Sequence, residues 1–201
     1  DDWPARKAVM RSELKKIDAD VIGLQEVLQH SQLPNQANTI ADEMGYEVFF
    51  SSVDPPEREK RYGNAILTRH PILTSSMHKL SPLDDYRIVA HIVIEIEGRP
   101  VDIYNTHLHH TRDGSAIRSE QIEDLMSFIQ RTRSSPQTII MGDFNAAPDW
   151  DELAPIHAKY TDTFALFVDD PLSENHTTLN SNVGHSKRRI DHIFLEQSNS
   201  S

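Results

Sequence analysis

The stretch from Arg87 to Leu108 constrains the fold more than any other part of the chain. Arg87 to Glu97 is rich in Ile and Val, Glu97-Gly98-Arg99 is turn chemistry, and Val101 to Leu108 is a second apolar run. Two such runs joined by a short Gly-containing turn read as a β-hairpin. Shorter apolar runs at Val21 to Leu24, Tyr46 to Phe50, Asn64 to Thr68, Ile72 to Leu80, Thr138 to Met141 and Ile190 to Leu195 read as further strands. Helical spacing interrupts them. Trp3, Met10, Leu14 and Ile17 share one face of a helix that begins near Pro4. Ala37, Ile40, Ala41 and Met44 share a face of a second, opened by Pro34 and closed by Gly45. Arg118, Ile122, Leu125, Met126 and Ile129 share a face of a third, Ser115 to Arg133. Hairpin strands with intervening helices imply an α/β layered domain. The charged, proline-containing segment from Asp54 to Lys60 reads as a mobile loop.

Composition narrows the classes. The 201 residues suit one domain. No run of about 18 apolar residues occurs, so no membrane-spanning helix is expected. No basic-then-apolar leader opens the sequence, so no secretory signal is expected. Without cysteine, disulfides and thiolate metal sites are excluded and the compartment stays open. Asn175-His176-Thr177 and Asn199-Ser200-Ser201 match the glycosylation sequon, a pattern common by chance. The net charge of −11 opposes tight, non-specific binding of a long polyanion. It does not oppose a small phosphorylated ligand, because a bound divalent cation reverses the local field.

Chemistry-bearing residues gather at the ends of the apolar runs. Glu26 follows Val21 to Gln25, His107 follows Val101 to Thr106, Asp143 and Asn145 follow Thr138 to Gly142, and Asp191 adjoins Ile193 to Leu195. Sites in layered α/β sheets form at strand ends, and a carboxylate beside an apolar strand is costly unless paired or on a metal. Singly, each has an ordinary explanation. Glu26 could cap the next segment, His107 could be a satisfied core histidine, Asp143 and Asn145 could be turn formers, and Asp191 could pair with Arg188 or Arg189. Together they point to one convergent site.

The motifs resemble those of the endonuclease/exonuclease/phosphatase superfamily, the DNase I-like phosphoesterases. Leu24-Gln25-Glu26-Val27 resembles its metal-binding Leu-Gln-Glu motif. Tyr62-Gly63-Asn64-Ala65-Ile66-Leu67-Thr68-Arg69-His70-Pro71-Ile72, Asn105-Thr106-His107-Leu108, Arg118 with Gln121, Gly142-Asp143-Phe144-Asn145 and Arg189-Ile190-Asp191-His192-Ile193-Phe194 are similar to further family segments, in family order. The resemblance implies a four-layer α/β sandwich of two packed mixed sheets flanked by helices. It implies a hydrolase of phosphoester bonds, a phosphodiesterase, nuclease or phosphatase, dependent on Mg²⁺ or Mn²⁺. Glu26 would bind the metal, Asp143 would orient or deprotonate the attacking water, Asn145 and Asn64 would bind the phosphate, His107 would stabilise phosphoryl charge, and Asp191 would orient a partner histidine. The substrate would be a phosphoester on a small molecule or a nucleic-acid end, and the protein a monomer.

The family also carries an Asn on a first strand and a Ser-Asp-His near its end. Neither is found here, so residues 1–201 read as a single domain incomplete at both ends. His192 stands where the family usually has Tyr and is not expected to be the catalytic histidine. Two alternatives accompany this reading: a degenerate, non-catalytic phosphate-binding member of the same fold, and a binuclear zinc hydrolase built on His107-Leu108-His109-His110. Specificity is expected in the loops Asp54 to Lys60, Leu80 to Tyr86 and His109 to Gly114.

Overall fold

A computed structural model describes residues 3–180, 182 and 184–197; the sequon at Asn199 lies outside them. In chain order the elements are α1 (Trp3–Ile17), β1 (Val21–Gln29), α2 (Gln36–Ala41), β2 (Glu47–Ser51), β3 (Arg61–Thr68), β4 (Ile72–Lys79), β5 (Ile88–Ile96), β6 (Arg99–His107), α3 (Ser115–Thr132), β7 (Thr138–Asp143), α4 (Ala154–His157), β8 (Tyr160–Asp162) and β9 (Asp191–Glu196). No described helix is long and apolar enough to cross a membrane.

Successive side chains of a strand point to opposite faces, and here they sort into separate apolar layers. On β3, Ala65 and Leu67 pack with α2 residues Ala37 and Ile40, while Ile66 between them packs with Ile92 and Ile103. On β6, Ile103 faces that same inter-sheet layer, and Tyr104 turns the other way to meet Phe128 and Leu125 of α3. The result is helix, sheet, sheet, helix. One sheet has the order β1-β3-β2, the other β4-β5-β6-β7-β9-β8. The larger is mixed, because β6 and β7 run parallel across the α3 crossover. The smaller is antiparallel throughout, where two mixed sheets were expected.

Three local expectations change. Ile17 shares the helical face of Trp3, Met10 and Leu14 but is 67% exposed, lining an open groove beside Leu14 and not packed into the cluster those three join. The segment read as a mobile loop folds back on Asp54, whose carboxylate accepts from Arg58 and from the Tyr62 N–H. The strand β8 is only three residues long and left no apolar run to read.

The Arg-x-x-Gln pair of α3 fastens the chain that leaves β6. Arg118, fully buried, pairs with Glu152 at 2.9 Å and donates to the carbonyls of His109 and Thr111. Gln121 accepts from the His109 N–H and donates to Asp85. Arg118→Met strands the Glu152 carboxylate in the core, so urea denaturation should show a loss of about 3–5 kcal/mol. Arg118→Met/Glu152→Leu should recover most of it.

Candidate active site

The first strand reaches the site through a defect in its pairing. Leu24 lies opposite Ala65 and Val27 opposite Gly63, so Gln25 and Glu26 together face the single residue Asn64. This is a β-bulge, a device that re-aims a side chain. Glu26 therefore sits inside β1, not after its end as the sequence suggested, and its φ of 59° is rare for a non-glycine residue. The bulge turns its carboxylate into a cleft of about 750 Å³ that His107, Asp143 and Asn145 also line.

His107 and Asp143 stand opposite each other on the parallel strands β6 and β7, with Nε2 and Oδ2 3.6 Å apart. Directly before Asp143, Gly142 has a φ of 143°, and a Cβ there would collide with the Thr106 carbonyl, so only glycine lets the two strands close up. Beyond Asp143 the chain turns sharply. Asn145, at a φ of 51°, donates its N–H to Asp143 Oδ1 at 2.8 Å and its side-chain amide to the Leu108 carbonyl at 3.0 Å. One amide hydrogen of Asn145 remains available to a ligand.

Two expected residues stand elsewhere. Asn64 is 3% exposed, and its amide donates to the Ile88 carbonyl, so it supports the floor under the bulge instead of lining the cleft. Asp191 pairs in register with Asp143 but lines a neighbouring apolar groove. Its carboxylate is hydrogen-bonded to Thr178, with no histidine bonded to it among the described residues. His192 is buried, with Nδ1 at 2.8 Å from Arg189 and Nε2 at 2.9 Å from the Ala146 carbonyl, outside the cleft. Arg189 itself pairs with Asp162, not with Asp191.

Tyr62, Arg87 and Tyr86 also line the cleft; sequence reading assigned the first two no role and placed the third only at the end of a loop expected to set specificity. The Tyr62 phenol is raised above its ordinary range by burial and then by its hydrogen bond to Glu26. Arg87 brings a guanidinium to the cleft, held near Asp85 and within 3.4 Å of His110. Tyr86, between them in sequence, stands at the rim. Tyr62 was read only as the first residue of the Gly-Asn segment and Arg87 only as the start of the hairpin's first strand.

The electrostatics divide the labour. Burial, followed by the Arg87 and His110 charges, lowers the His107 pKa to about 3, so the imidazole is neutral and offers one N–H. Burial, followed by the Asp191 charge, raises the Asp143 pKa to about 7, with Glu26 adding to the effect. A carboxylate poised near neutrality can take a proton from water.

Among the described residues no three His, Asp or Glu side chains form a self-sufficient metal cage. A zinc centre needs three or four protein ligands, and His109 has both ring nitrogens engaged, with Asp85 and Thr111. The His-x-His pair thus splits, which removes the basis of the zinc reading. One carboxylate, Glu26, facing the open cleft is a donor set that suits a hard cation that keeps several waters.

A profile of the Endonuclease/Exonuclease/phosphatase family matches residues 1–198. The chain is 28% identical over 172 residues to Nocturnin of Drosophila melanogaster, covering 78% of this chain and 25% of that protein. It thus spans about a quarter of the length of that relative. In fold it is similar to the human Nocturnin catalytic domain with bound sulfate anion, with a TM-score of 0.79 and 21% identity over 97% of this chain and 76% of that one. It is also similar to D. rerio TDP2 complexed with single strand DNA product, with a TM-score of 0.75 and 18% identity over 100% of this chain and 80% of that one.

The raised pKa of Asp143 makes a prediction about stability. The folded chain holds a proton on Asp143 that the unfolded chain releases above its ordinary value of 3.8. That contribution is complete below about pH 4 and is lost as the pH rises to about 7. His107 acts in the opposite sense, its neutral form costing stability as the pH falls from 6.5 toward about 3. In metal-free buffer, Asp143→Asn should therefore exceed the parent at pH 8 by on the order of 2 kcal/mol, the value expected for a partly solvated group. The gap should close toward pH 4. Denaturation midpoints across this range check it.

Proposed function

The chain belongs to the endonuclease/exonuclease/phosphatase family, whose members are phosphoester hydrolases, and from that membership we propose that it hydrolyses phosphoester bonds by attack of water with the help of Mg²⁺ or Mn²⁺. The convergence of Glu26, His107, Asp143 and Asn145 on one cleft carries the reading. The substrate is a phosphoester on a small molecule or at a nucleic-acid end.

Glu26, fixed by its bulge and by Tyr62, is the residue that would hold the cation. When bound, such a cation neutralises charge on the phosphate and on the leaving oxygen. Asp143 takes the proton of the attacking water as the new oxygen–phosphorus bond forms and the ester oxygen departs. The Asp191 charge beside it keeps Asp143 basic enough for this task. His107, neutral, and the free amide hydrogen of Asn145 donate to the phosphoryl oxygens, where charge accumulates. Arg87 adds a permanent positive charge to the same cleft.

Three measurements test the proposal on a panel of phosphomonoesters and phosphodiesters. Glu26→Ala should abolish Mg²⁺-dependent hydrolysis, since no other cleft carboxylate occupies the bulge. Undiminished hydrolysis in excess EDTA would sink the metal-dependent reading. Asp143→Asn should lower the rate about 10²–10⁴-fold; a near-normal rate would mean that water is activated elsewhere.

A further inference from the structure

The rim of the cleft contains a strained aromatic residue that the hydrolytic steps leave unused. Tyr86 is 71% exposed, lines the cleft and has a φ of 58°. A bulky residue in the left-handed region is an outlier, and such strain persists only where the surroundings enforce it. They do so on both sides. Asp85 accepts from Gln121 at 2.7 Å and lies 2.8 Å from His109 Nδ1, and its N–H is bonded to the Pro82 carbonyl. The Arg87 carbonyl accepts from the Leu80 N–H at 2.8 Å. A glycine would suit this backbone better; instead the chain presents a phenol ring to solvent.

The ring's neighbours indicate what it faces. Lys79 Nζ lies 4.9 Å from the ring centre, and Arg87 follows Tyr86 into the cleft. A cation, an exposed aromatic and a second cation form a short strip beside the phosphate-binding residues. Cations that follow phosphates, combined with aromatic faces that stack bases, are the recognition mode of single-stranded nucleotides. Sugar phosphates and lipid head groups lack the aromatic π face with which a base stacks on such a ring. The net charge of −11 argues for one stacked base next to the reacting phosphate, not for a long track.

We propose that Tyr86 is a specificity-determining residue, a platform that stacks a nucleobase adjoining the phosphoester, so that the substrate is a nucleotide or a nucleotide end. The inference rests on the hydrolase reading for the position of the phosphate, and its test does not use hydrolysis. Binding of adenosine monophosphate, of ribose 5-phosphate and of a single-stranded trinucleotide is measured calorimetrically with Mg²⁺ in an Asp143→Asn background, which spares the probes from hydrolysis, for the parent carrying Tyr86 and for Tyr86→Ala and Tyr86→Trp. The parent should bind adenosine monophosphate about tenfold more tightly than ribose 5-phosphate, within the range of one base–aromatic stack. Tyr86→Ala should erase that preference while leaving ribose 5-phosphate unchanged, and Tyr86→Trp should keep it. A larger loss in Tyr86→Ala for the trinucleotide than for adenosine monophosphate would assign the platform to a strand end; an equal loss for both would assign it to any nucleotide. Equal affinity of the parent for the probes with and without a base overturns the proposal, as does a uniform weakening of all three in Tyr86→Ala. A chain that binds in the expected pattern yet hydrolyses no phosphoester retains the platform and loses the hydrolase reading.

Discussion

The side-chain amide of Asn105 is the interaction on which the site depends. It is fully buried between the sheets and donates to the carbonyls of Leu24 on β1 and Ala65 on β3, at 3.0 and 2.9 Å. Its oxygen accepts from Gln25 at 2.6 Å. An amide offers two donors and an acceptor within one small group, and here all three roles serve the other sheet. Leu24 and Gln25 lead directly into the bulge that aims Glu26, while Asn105 stands two residues before His107 on its own strand. One side chain thereby ties Glu26, proposed to hold the cation, to His107, proposed to bind the phosphate. An apolar residue here would leave the unpaired groups of the bulge buried without partners, at about 1–3 kcal/mol each. Gly23 completes the joint, since a Cβ there would press on Met141 and on Asn105 itself.

Much of the framework was legible because apolar runs and their periods report burial directly. The hairpin of β5 and β6, the long α3 and the strand β7 fall within a residue or two of their expected limits. The gathering of Glu26, His107, Asp143 and Asn145 was legible for a different reason: polar residues abutting apolar runs are expensive, and a shared cleft offsets that expense. What could not be read was direction. A bulge changes which side of a strand a residue faces and leaves no mark in composition, so Glu26 looked like a strand end. Asn64 looked like a donor to ligand because its motif resembles one, yet it is buried and does not line the cleft, its amide donating to the Ile88 carbonyl. Arg87 looked like a strand start, and only the three-dimensional return of β5 beside β6 brings its charge to His107.

The site's proton chemistry follows from crowding like charges in a poorly solvated space. Asp143 and Asp191 are opposed across β7 and β9, and Glu26 is close enough to add to their repulsion. Burial alone would raise a carboxyl pKa; the second charge makes the effect depend on strand register. A one-residue slip of β9 would move Asp191 to the other face and lower the basicity of Asp143. The pairing of Ile140 with Phe194 inside the α3-facing core fixes that register. Core packing and proton affinity are in this sense set by the same strand contacts.

An acidic chain with the proposed phosphoester substrate would have to solve its electrostatics locally. Screening over about 8–10 Å confines most surface charges to their own neighbourhoods, so the net charge governs approach while nearby groups govern binding. In the cleft, Arg87 is a permanent cation among the carboxylates Glu26, Asp54, Asp85 and Asp143. Asp54 and Asp85 are drawn into hydrogen bonds with Arg58, the Tyr62 N–H and Gln121, which directs their charge into the protein framework. Glu26 and Asp143 remain facing the open space. A phosphate entering without a cation would meet both of these charges. With a cation on Glu26, the same carboxylate becomes part of an attractive surface. The residual repulsion from Asp143 would then fall on the attacking water's side, where a basic group is needed. On the proposed reading, the acidity of the cleft would favour phosphate and cation arriving together, with Arg87 as a local cation in place of a broad basic face.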